Sequence, residues 1–177
     1  MQNNVDGVLR KLFSAEDIEK AVKSLAQAIS TDFNKEELVM VCVLKGSFMF
    51  IADLIRQIEG HNLVVDFLRA SSYGTGTETC GEVTFTKDLE TDIMGKHVVI
   101  VEDIIDSGLT LTSIKNRLLE RNPRSLRICA LVDKRARRRV EIEGDYVGFT
   151  IEDGFIVGYG IDYAEHYRNL PEIYVVE

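Results

Sequence analysis

Stretches of mostly apolar residues alternate along the chain with segments of helical periodicity. Four such stretches, rich in β-branched residues, occupy positions 38–44, 63–68, 97–101 and 126–132, and Asp66 interrupts the second. They are too short for a helix core, and they do not alternate as a strand with one solvated face does. Each therefore predicts a strand buried on both faces, and the set predicts an α/β fold whose parallel sheet has right-handed crossovers.

Three segments beside these strands predict helices. In the first, Ser14 followed by Asp17 matches a capping box, and apolar residues then recur every three or four positions. The recurring positions are 18, 22, 25 and 29 in this segment, 51, 54, 55 and 58 after the first strand, and 111, 114, 118 and 119 after the third. Residues 45–47, Lys-Gly-Ser, separate the first strand from its helix.

The rest of the chain predicts a loop and several short strands. Residues 71–81 are small, polar and glycine-rich, which is typical of a mobile loop, and 83–87 alternates like a hairpin arm that continues it. Residues 146–151, 155–161 and 173–176 predict short strands. We expect one domain over 1–177, with a core from about 35 to 133 and a small C-terminal hood from about 134 to 177 that includes the N-terminal segment.

Composition and charge exclude several classes of protein. With 177 residues, 45% of them hydrophobic and 28% charged, the chain can bury a core without disulfides and is not a disordered or collagen-like protein. The net charge of −8 counts against broad nucleic-acid binding. We expect no signal peptide and no membrane span. Three cysteines (Cys42, Cys80 and Cys129) lack metal-binding spacing, which favours a reducing cytoplasm, and the first and last are expected in the core.

The strongest candidate for chemistry follows the third predicted strand. Three carboxylates, two hydroxyls and a glycine stand between that strand and its helix: Glu102, Asp103, Asp106, Ser107, Gly108 and Thr110. A glycine turn that leads into a helix exposes free N–H groups, which suit a phosphate, whereas the carboxylates suit ribose hydroxyls and Mg²⁺. The alternative is that Asp106 and Ser107 only cap the helix while the acidic pair is solvated. No GxxxxGK[ST] loop is present.

Several ordered blocks resemble a known enzyme family. The segment VVIVEDIIDSGLT at 98–110 resembles the phosphoribosyl-pyrophosphate (PRPP) motif of type I phosphoribosyltransferases, and more narrowly that of the hypoxanthine phosphoribosyltransferases. Further blocks match in order: VLKGSFMF at 43–50, DFLRASSYG at 66–74, LVDKR at 131–135 and GFIVGYGIDYAEHYRNLP at 154–171. The resemblance covers nearly the whole chain. It implies the type I phosphoribosyltransferase fold: a parallel-sheet, Rossmann-like core with flanking helices, a flexible loop or hairpin and a C-terminal hood.

The resemblance implies which residues bind PRPP. Glu102 and Asp103 would meet the ribose 2′- and 3′-hydroxyls and the Mg²⁺ bound there, and Asp162 would lie near a second Mg²⁺. The pyrophosphate would be held by Lys45, Gly46 and Arg168, and the family has a non-proline cis peptide between the positions of Leu44 and Lys45. The 5′-phosphate would be held by Ser107, Gly108, Leu109 and Thr110, with only backbone from Leu109.

The resemblance also implies how the base and the reaction are handled. Asp106 matches the catalytic aspartate near purine N7. The purine would be bound by Lys134 at its 6-oxo group, by the ring of Phe155, by the backbone of Ile156 and near Asp162. Ser72 and Tyr73 would form a lid over the site. The implied activity is the Mg²⁺-dependent transfer of phosphoribosyl from PRPP to N9 of hypoxanthine, and of guanine, giving IMP or GMP and pyrophosphate in purine salvage.

Some alternatives stay open at the level of sequence. An RNA-binding regulator on the same fold, or a transferase for another base such as xanthine, would share the PRPP motif. The run KRARRR at 134–139 is a tempting nucleic-acid patch, but we favour one functional lysine followed by a solvated or subunit-interface face. We expect a cytoplasmic homo-oligomer, dimer or tetramer, with neither nucleic acid nor membrane as partner.

Overall fold

The computed structural model describes residues 7–59, 62–72 and 83–177, and this part of the chain contains nine strands and three helices. The helices are α1 (Ala15–Asp32), α2 (Phe48–Gln57) and α3 (Leu109–Leu119). The strands are β1 (Leu9–Phe13), β2 (Leu38–Val43), β3 (Leu63–Ser72), β4 (Val83–Lys87), β5 (His97–Ile105), β6 (Ser125–Lys134), β7 (Tyr146–Ile151), β8 (Ile156–Val157) and β9 (Ile173–Val176). No helix of this part of the chain is long and apolar enough to cross a membrane.

A six-stranded sheet in the order β4-β3-β2-β5-β6-β7 forms the centre of the molecule. All neighbouring strands are parallel except β4, which runs antiparallel to β3 as the predicted hairpin arm. The four predicted core strands are confirmed. Strands β5 and β6 extend beyond their predicted ends because they remain paired there, with Ile105 opposite Asp133.

The C-terminal part differs from the expectation in two ways. We expected Tyr146–Ile151 in the hood, but as β7 it pairs with β6, Cys129 opposite Tyr146, and forms one edge of the central sheet. The predicted strand 155–161 is short, because Gly158 at φ 103° turns the chain and its N–H bonds to the Ile161 carbonyl. A second, antiparallel sheet in the order β1-β9-β8 joins the N-terminal strand to the last strands.

Two hydrophobic layers cover the central sheet. Helices α1 and α2 contribute to one cluster, and α3 packs in the other. Ser14 and Asp17 form the predicted capping box at the start of α1, and all four predicted apolar positions of that helix are buried. Cys42 and Cys129 are fully buried as expected, and burial raises the pKa of the Cys42 thiol to about 11. Cys80 lies outside the described residues.

Asp66 interrupts the apolar pattern of β3 because it anchors the chain that follows the hairpin. Its side chain is 5% exposed and accepts hydrogen bonds from the N–H groups of Phe67 (2.7 Å), Glu90 (2.9 Å) and Thr91 (2.7 Å). Burial alone would raise the pKa of Asp66, but these hydrogen bonds outweigh burial and lower it. A buried carboxylate satisfied in this way fixes the return from β4 to the sheet.

Asp66→Asn should lower the free energy of unfolding at pH 7 by about 1–3 kcal/mol, because the ionised acceptor is lost. The folded pKa of Asp66 lies below its unfolded value, so its stabilisation is complete above the unfolded pKa and is lost as the pH falls through the folded pKa. The difference between the two proteins in urea titrations should therefore shrink below about pH 4.

Asp92→Asn is the matched control, because Asp92 is exposed and, within the described ranges, accepts a single backbone hydrogen bond, from the Met94 N–H. It should change the free energy of unfolding by less than about 0.5 kcal/mol. If Asp66→Asn also changed the free energy of unfolding by less than about 0.5 kcal/mol at pH 7, Asp66 would not anchor the chain after β4.

Candidate active site

A cleft of about 290 Å³ opens at the carboxyl edge of the central sheet, above the ends of β2 and β5. Such a crevice is where open α/β sheets bind ligands. Ten of the predicted site residues line it: Lys45, Gly46, Glu102, Asp103, Asp106, Ser107, Gly108, Thr110, Asp162 and Arg168. Residues more than 100 positions apart in the chain therefore meet in one place.

A larger groove, of about 450 Å³, lies between α1, α2 and residues 169–171. None of the predicted site residues whose side chains the structure describes lines it. The smaller cleft is the candidate catalytic site, because the turns that follow β2 and β5 bring the predicted residues together there.

The turn after β2 fits tightly against the cleft floor. The peptide between Leu44 and Lys45 is cis, as the resemblance implies. A β-carbon at Gly46 would overlap the Asp103 carboxylate, and one at Gly160 would overlap the Gly46 carbonyl oxygen. Close packing thus requires glycine at both positions, 46 and 160.

The turn after β5, residues 107–110, leads into α3 and is referred to as the phosphate turn. Gly108 is the N-cap of α3 at φ 81°, and a β-carbon there would contact Val140 and Ile142. Gly108 has no side chain to cap the helix, and Ser107 Oγ accepts the Leu109 N–H at 3.4 Å. Among the described residues, no helix N–H donates to the Asp106 side chain, so the interpretation of Asp106 as a helix cap is wrong. The other N–H groups of the first turn of α3 are available to an anion.

Glu102 and Asp103 place two adjacent carboxylates in the cleft wall, and Asp103 is buried. Removal from water, with the charge of Asp103 as a second cause, raises the pKa of Glu102 well above its usual range. Burial likewise raises the pKa of Asp103. A divalent cation would relieve both the burial cost and the mutual repulsion, so this donor pair fits Mg²⁺.

The other predicted metal residue, Asp162, lies in the same cleft but is paired with Arg168 at 2.8 Å. Among the described residues, no group of three or more acidic, histidine or cysteine side chains is arranged to hold a metal. The pair Glu102–Asp103 and Asp162 are therefore separate features of the cleft.

The two cations of the cleft share an acidic partner that the sequence did not single out. Lys45 Nζ lies 2.8 Å from Glu165 Oε2, and Arg168 Nη2 lies 3.3 Å from the same oxygen. Arg168 also donates to the Gly160 carbonyl at 2.8 Å. Glu165 lies 120 residues from Lys45 in the chain, so only its place inside the matched block 154–171 could have drawn attention to it.

Apart from Asp162, the predicted purine-binding residues lie at the end of β6 and before and within β8. Lys134 is 5% exposed, and its Nζ lies 3.3 Å from Asp106 Oδ1 and 3.4 Å from the Gly154 carbonyl. The Phe155 ring is 44% exposed and meets Tyr163 edge-on at 5.2 Å. Ile156 is buried at the start of β8.

The remaining predicted residues are placed as follows. Leu109 is the first residue of α3, and Ser72 is the last of β3, whereas Tyr73 lies outside the described residues. In the basic run, Arg135 and Arg137 are exposed, but Arg138 is only 18% exposed and is not part of a solvated face.

Comparison with known proteins agrees with this geometry. The model of the phosphoribosyl transferase domain matches residues 10–164. The chain is 45% identical to the hypoxanthine-guanine phosphoribosyltransferase of Aquifex aeolicus, over 96% of this chain and 95% of that protein. It is 50% identical to the hypoxanthine phosphoribosyltransferase of Haemophilus influenzae, over 92% of each. Both relatives are named as enzymes, not as RNA-binding regulators.

Solved structures give the same result. A Bacillus anthracis hypoxanthine-guanine phosphoribosyltransferase with HEPES in its active site is 52% identical, with a TM-score of 0.90 over 95% of this chain and 98% of that one. A Staphylococcus aureus hypoxanthine phosphoribosyltransferase is 45% identical, with a TM-score of 0.92 over 100% and 97%. The expected fold is confirmed, and the chain belongs to the type I phosphoribosyltransferase family, in the branch of the hypoxanthine phosphoribosyltransferases.

Proposed function

We propose that the protein transfers the 5-phosphoribosyl group of PRPP to N9 of hypoxanthine, and of guanine, releasing IMP or GMP and pyrophosphate in purine salvage. One observation carries the proposal: a single cleft gathers the phosphate turn, the Glu102–Asp103 pair, Asp106 and the two cations Lys45 and Arg168. This set matches each part of PRPP, and the names of the relatives support the choice of base.

The 5′-phosphate binds at the phosphate turn. The N–H groups in the first turn of α3 have no carbonyl partner within the helix and can donate to an anion, and the positive end of the helix dipole favours it. The hydroxyls of Ser107 and Thr110 add hydrogen bonds, whereas Leu109 contributes its backbone N–H. No lysine is needed inside the turn, because main-chain donors supply the contact.

Glu102 and Asp103 bind the ribose hydroxyls and would hold Mg²⁺ there, with Asp162 near a second ion. Mg²⁺, when bound, neutralises charge on the departing pyrophosphate. The fit rests on the donor chemistry of the pair, since burial disfavours the charged carboxylates and a bound cation would favour them. The negative pair also favours the positive charge that develops at C1′ when the bond to pyrophosphate breaks first.

Lys45 and Arg168 bind the pyrophosphate. Both side chains are paired with Glu165, which holds them near the cleft. When the ligand binds, they can turn from Glu165 to the oxygens of the pyrophosphate. The Arg168 Nε is buried and has no hydrogen-bond partner in the described part of the chain. Such a donor gains a partner when an anion enters the cleft, which favours binding.

Asp106 accepts the proton that the purine loses near N7 as N9 attacks C1′. Lys134 donates to the 6-oxo group, Phe155 stacks on the ring, and the Ile156 backbone contacts the base edge. Lysine carries three donors and no acceptor, so a 6-amino group finds no partner there. We also propose that Ser72 and Tyr73 cover the reacting centre and exclude water.

We further propose that the protein is a cytoplasmic homo-oligomer, dimer or tetramer. Phe48 and Phe67, on the side of the sheet that α2 covers, remain 37% and 38% exposed. Large exposed aromatics on one side of a sheet favour contact with another protein surface. Sedimentation equilibrium measures the state directly, and a monomer at micromolar concentration would contradict this proposal.

Steady-state assays with PRPP, Mg²⁺ and a panel of purines test the function. We expect transfer to hypoxanthine and guanine, with kcat/KM at least about 100-fold above that for adenine, because a site built around a 6-oxo acceptor rejects a donor there. Adenine is the matched control, since it has the same ring size. Equal use of adenine, or no transfer to any 6-oxopurine, would overturn the proposal.

Asp106→Asn should lower kcat by about 10²–10⁴-fold while the Kd for PRPP·Mg²⁺ stays within about threefold, because only the proton acceptor is removed. Initial rates and calorimetric titration measure the two quantities. Asp92→Asn, the same chemical change at an exposed position, should leave both unaltered. A kcat for Asp106→Asn within about threefold of wild type would contradict the role of Asp106 as the proton acceptor.

A further inference from the structure

Arg138 contacts the phosphate turn although it is not among the described residues that line the cleft. Its Cδ lies within 3.3 Å of the position of a β-carbon on Gly108, and the N–H of its neighbour Arg139 donates to the Ser107 carbonyl at 3.0 Å. The segment that starts at Arg138 therefore backs the turn. Exposure of 18% for the Arg138 side chain is low for a residue inside a run of cations.

The guanidinium of Arg138 joins three main-chain carbonyls and one carboxylate. Its Nε donates to the Asp106 carbonyl at 3.1 Å, and its Nη2 donates to the Ile105 carbonyl at 3.4 Å. Nη1 donates to the Ile142 carbonyl, and Nη2 also pairs with Asp133 Oδ1. The planar fork of arginine can make all of these bonds at once, which the ammonium of lysine cannot.

Asp133 connects this clamp, defined as Arg138 with Asp133, to the other half of the site. It is 5% exposed, lies opposite Ile105 in the β5–β6 pairing, and directly precedes Lys134. Arg135 Nε lies 3.4 Å from its other oxygen, but that side chain is largely exposed. The clamp thus ties together the ends of the two strands that carry Asp106 and Lys134, whose charged atoms lie 3.3 Å apart.

On the basis of the function proposed above, we propose that Arg138 is a positioning residue: held by Asp133, it fixes the backbone at Ile105 and Asp106 so that the Asp106 carboxylate faces Lys134 and the purine. It touches neither substrate. The Arg139 N–H bond to Ser107 is a main-chain contact and remains when the Arg138 side chain changes. The 5′-phosphate site should therefore tolerate the loss of the clamp better than Asp106 does.

Arg138→Lys keeps the charge and loses the fork. It should reduce kcat for hypoxanthine by about 10–100-fold, because small misplacement of a catalytic group costs that much, while KM for PRPP changes less than about threefold. Asp133→Asn should have the same effect, since it releases the same guanidinium. Arg137→Lys is the matched control: its side chain is 64% exposed and lies 3.8 Å from Asp153, so both constants should stay at wild-type values.

Combining Arg138→Lys with Asp106→Asn separates positioning from a general structural role. If Arg138 acts through Asp106, the additional loss in the Asp106→Asn background should be less than about threefold, because the group it positions is already inactive. Thermal unfolding of each variant shows whether it is folded, and Asp133→Asn replaces Arg138→Lys in the cycle if the latter is not.

Three results would overturn the inference in distinguishable ways. If the wild-type protein is active and Arg138→Lys has the same kcat, Arg138 has no positioning role, and the proposed function still holds. A full, additive loss in the Asp106→Asn background, or equal damage to KM for PRPP, assigns Arg138 to the fold as a whole. Absence of transfer by the wild type and by Arg137→Lys overturns the proposed function and this inference with it.

Discussion

Two adjacent carboxylates enclosed by protein at the end of β5 are the constraint on which the site depends. Removal from water raises the pKa of both Glu102 and Asp103, and the charge of Asp103 raises the pKa of Glu102 further. A folded protein keeps such a pair only where a cation or hydroxyl donors offset the cost. The surrounding backbone is packed to this pair, since the Asp103 carboxylate leaves Gly46 no room for a side chain.

The position of β5 explains why the other groups converge on this pair. It lies between β2 and β6 and parallel to both, so the carboxyl ends of the three strands meet at one edge. The turn that contains Lys45 and Gly46 follows β2, the phosphate turn follows β5, and Lys134 ends β6. Arg138 then links the ends of β5 and β6 to each other, through the Ile105 and Asp106 carbonyls and the Asp133 carboxylate.

The sequence predicted those parts of the molecule that local pattern determines. Apolar strands, the capping box at Ser14 and the cluster 102–110 each carry their signal in consecutive residues. Strand β7 was misplaced because its alternation is the same in a hood as at the edge of a sheet. Glu165 and Arg138 were missed for another reason: their partners are Lys45 and the carbonyls after β5, and a run of cations looks solvated until those partners are known.

If the Glu102–Asp103 pair acts in this way, the cleft should bind an anionic sugar phosphate tightly only when a cation accompanies it. Calorimetric titration of the wild-type protein with PRPP, in the presence of Mg²⁺ and in its absence with a chelator, measures this directly. Binding should be at least about 100-fold tighter with Mg²⁺, because the Glu102–Asp103 pair otherwise repels the ligand at close range. Equal affinity under both conditions would contradict the role given to the carboxylate pair.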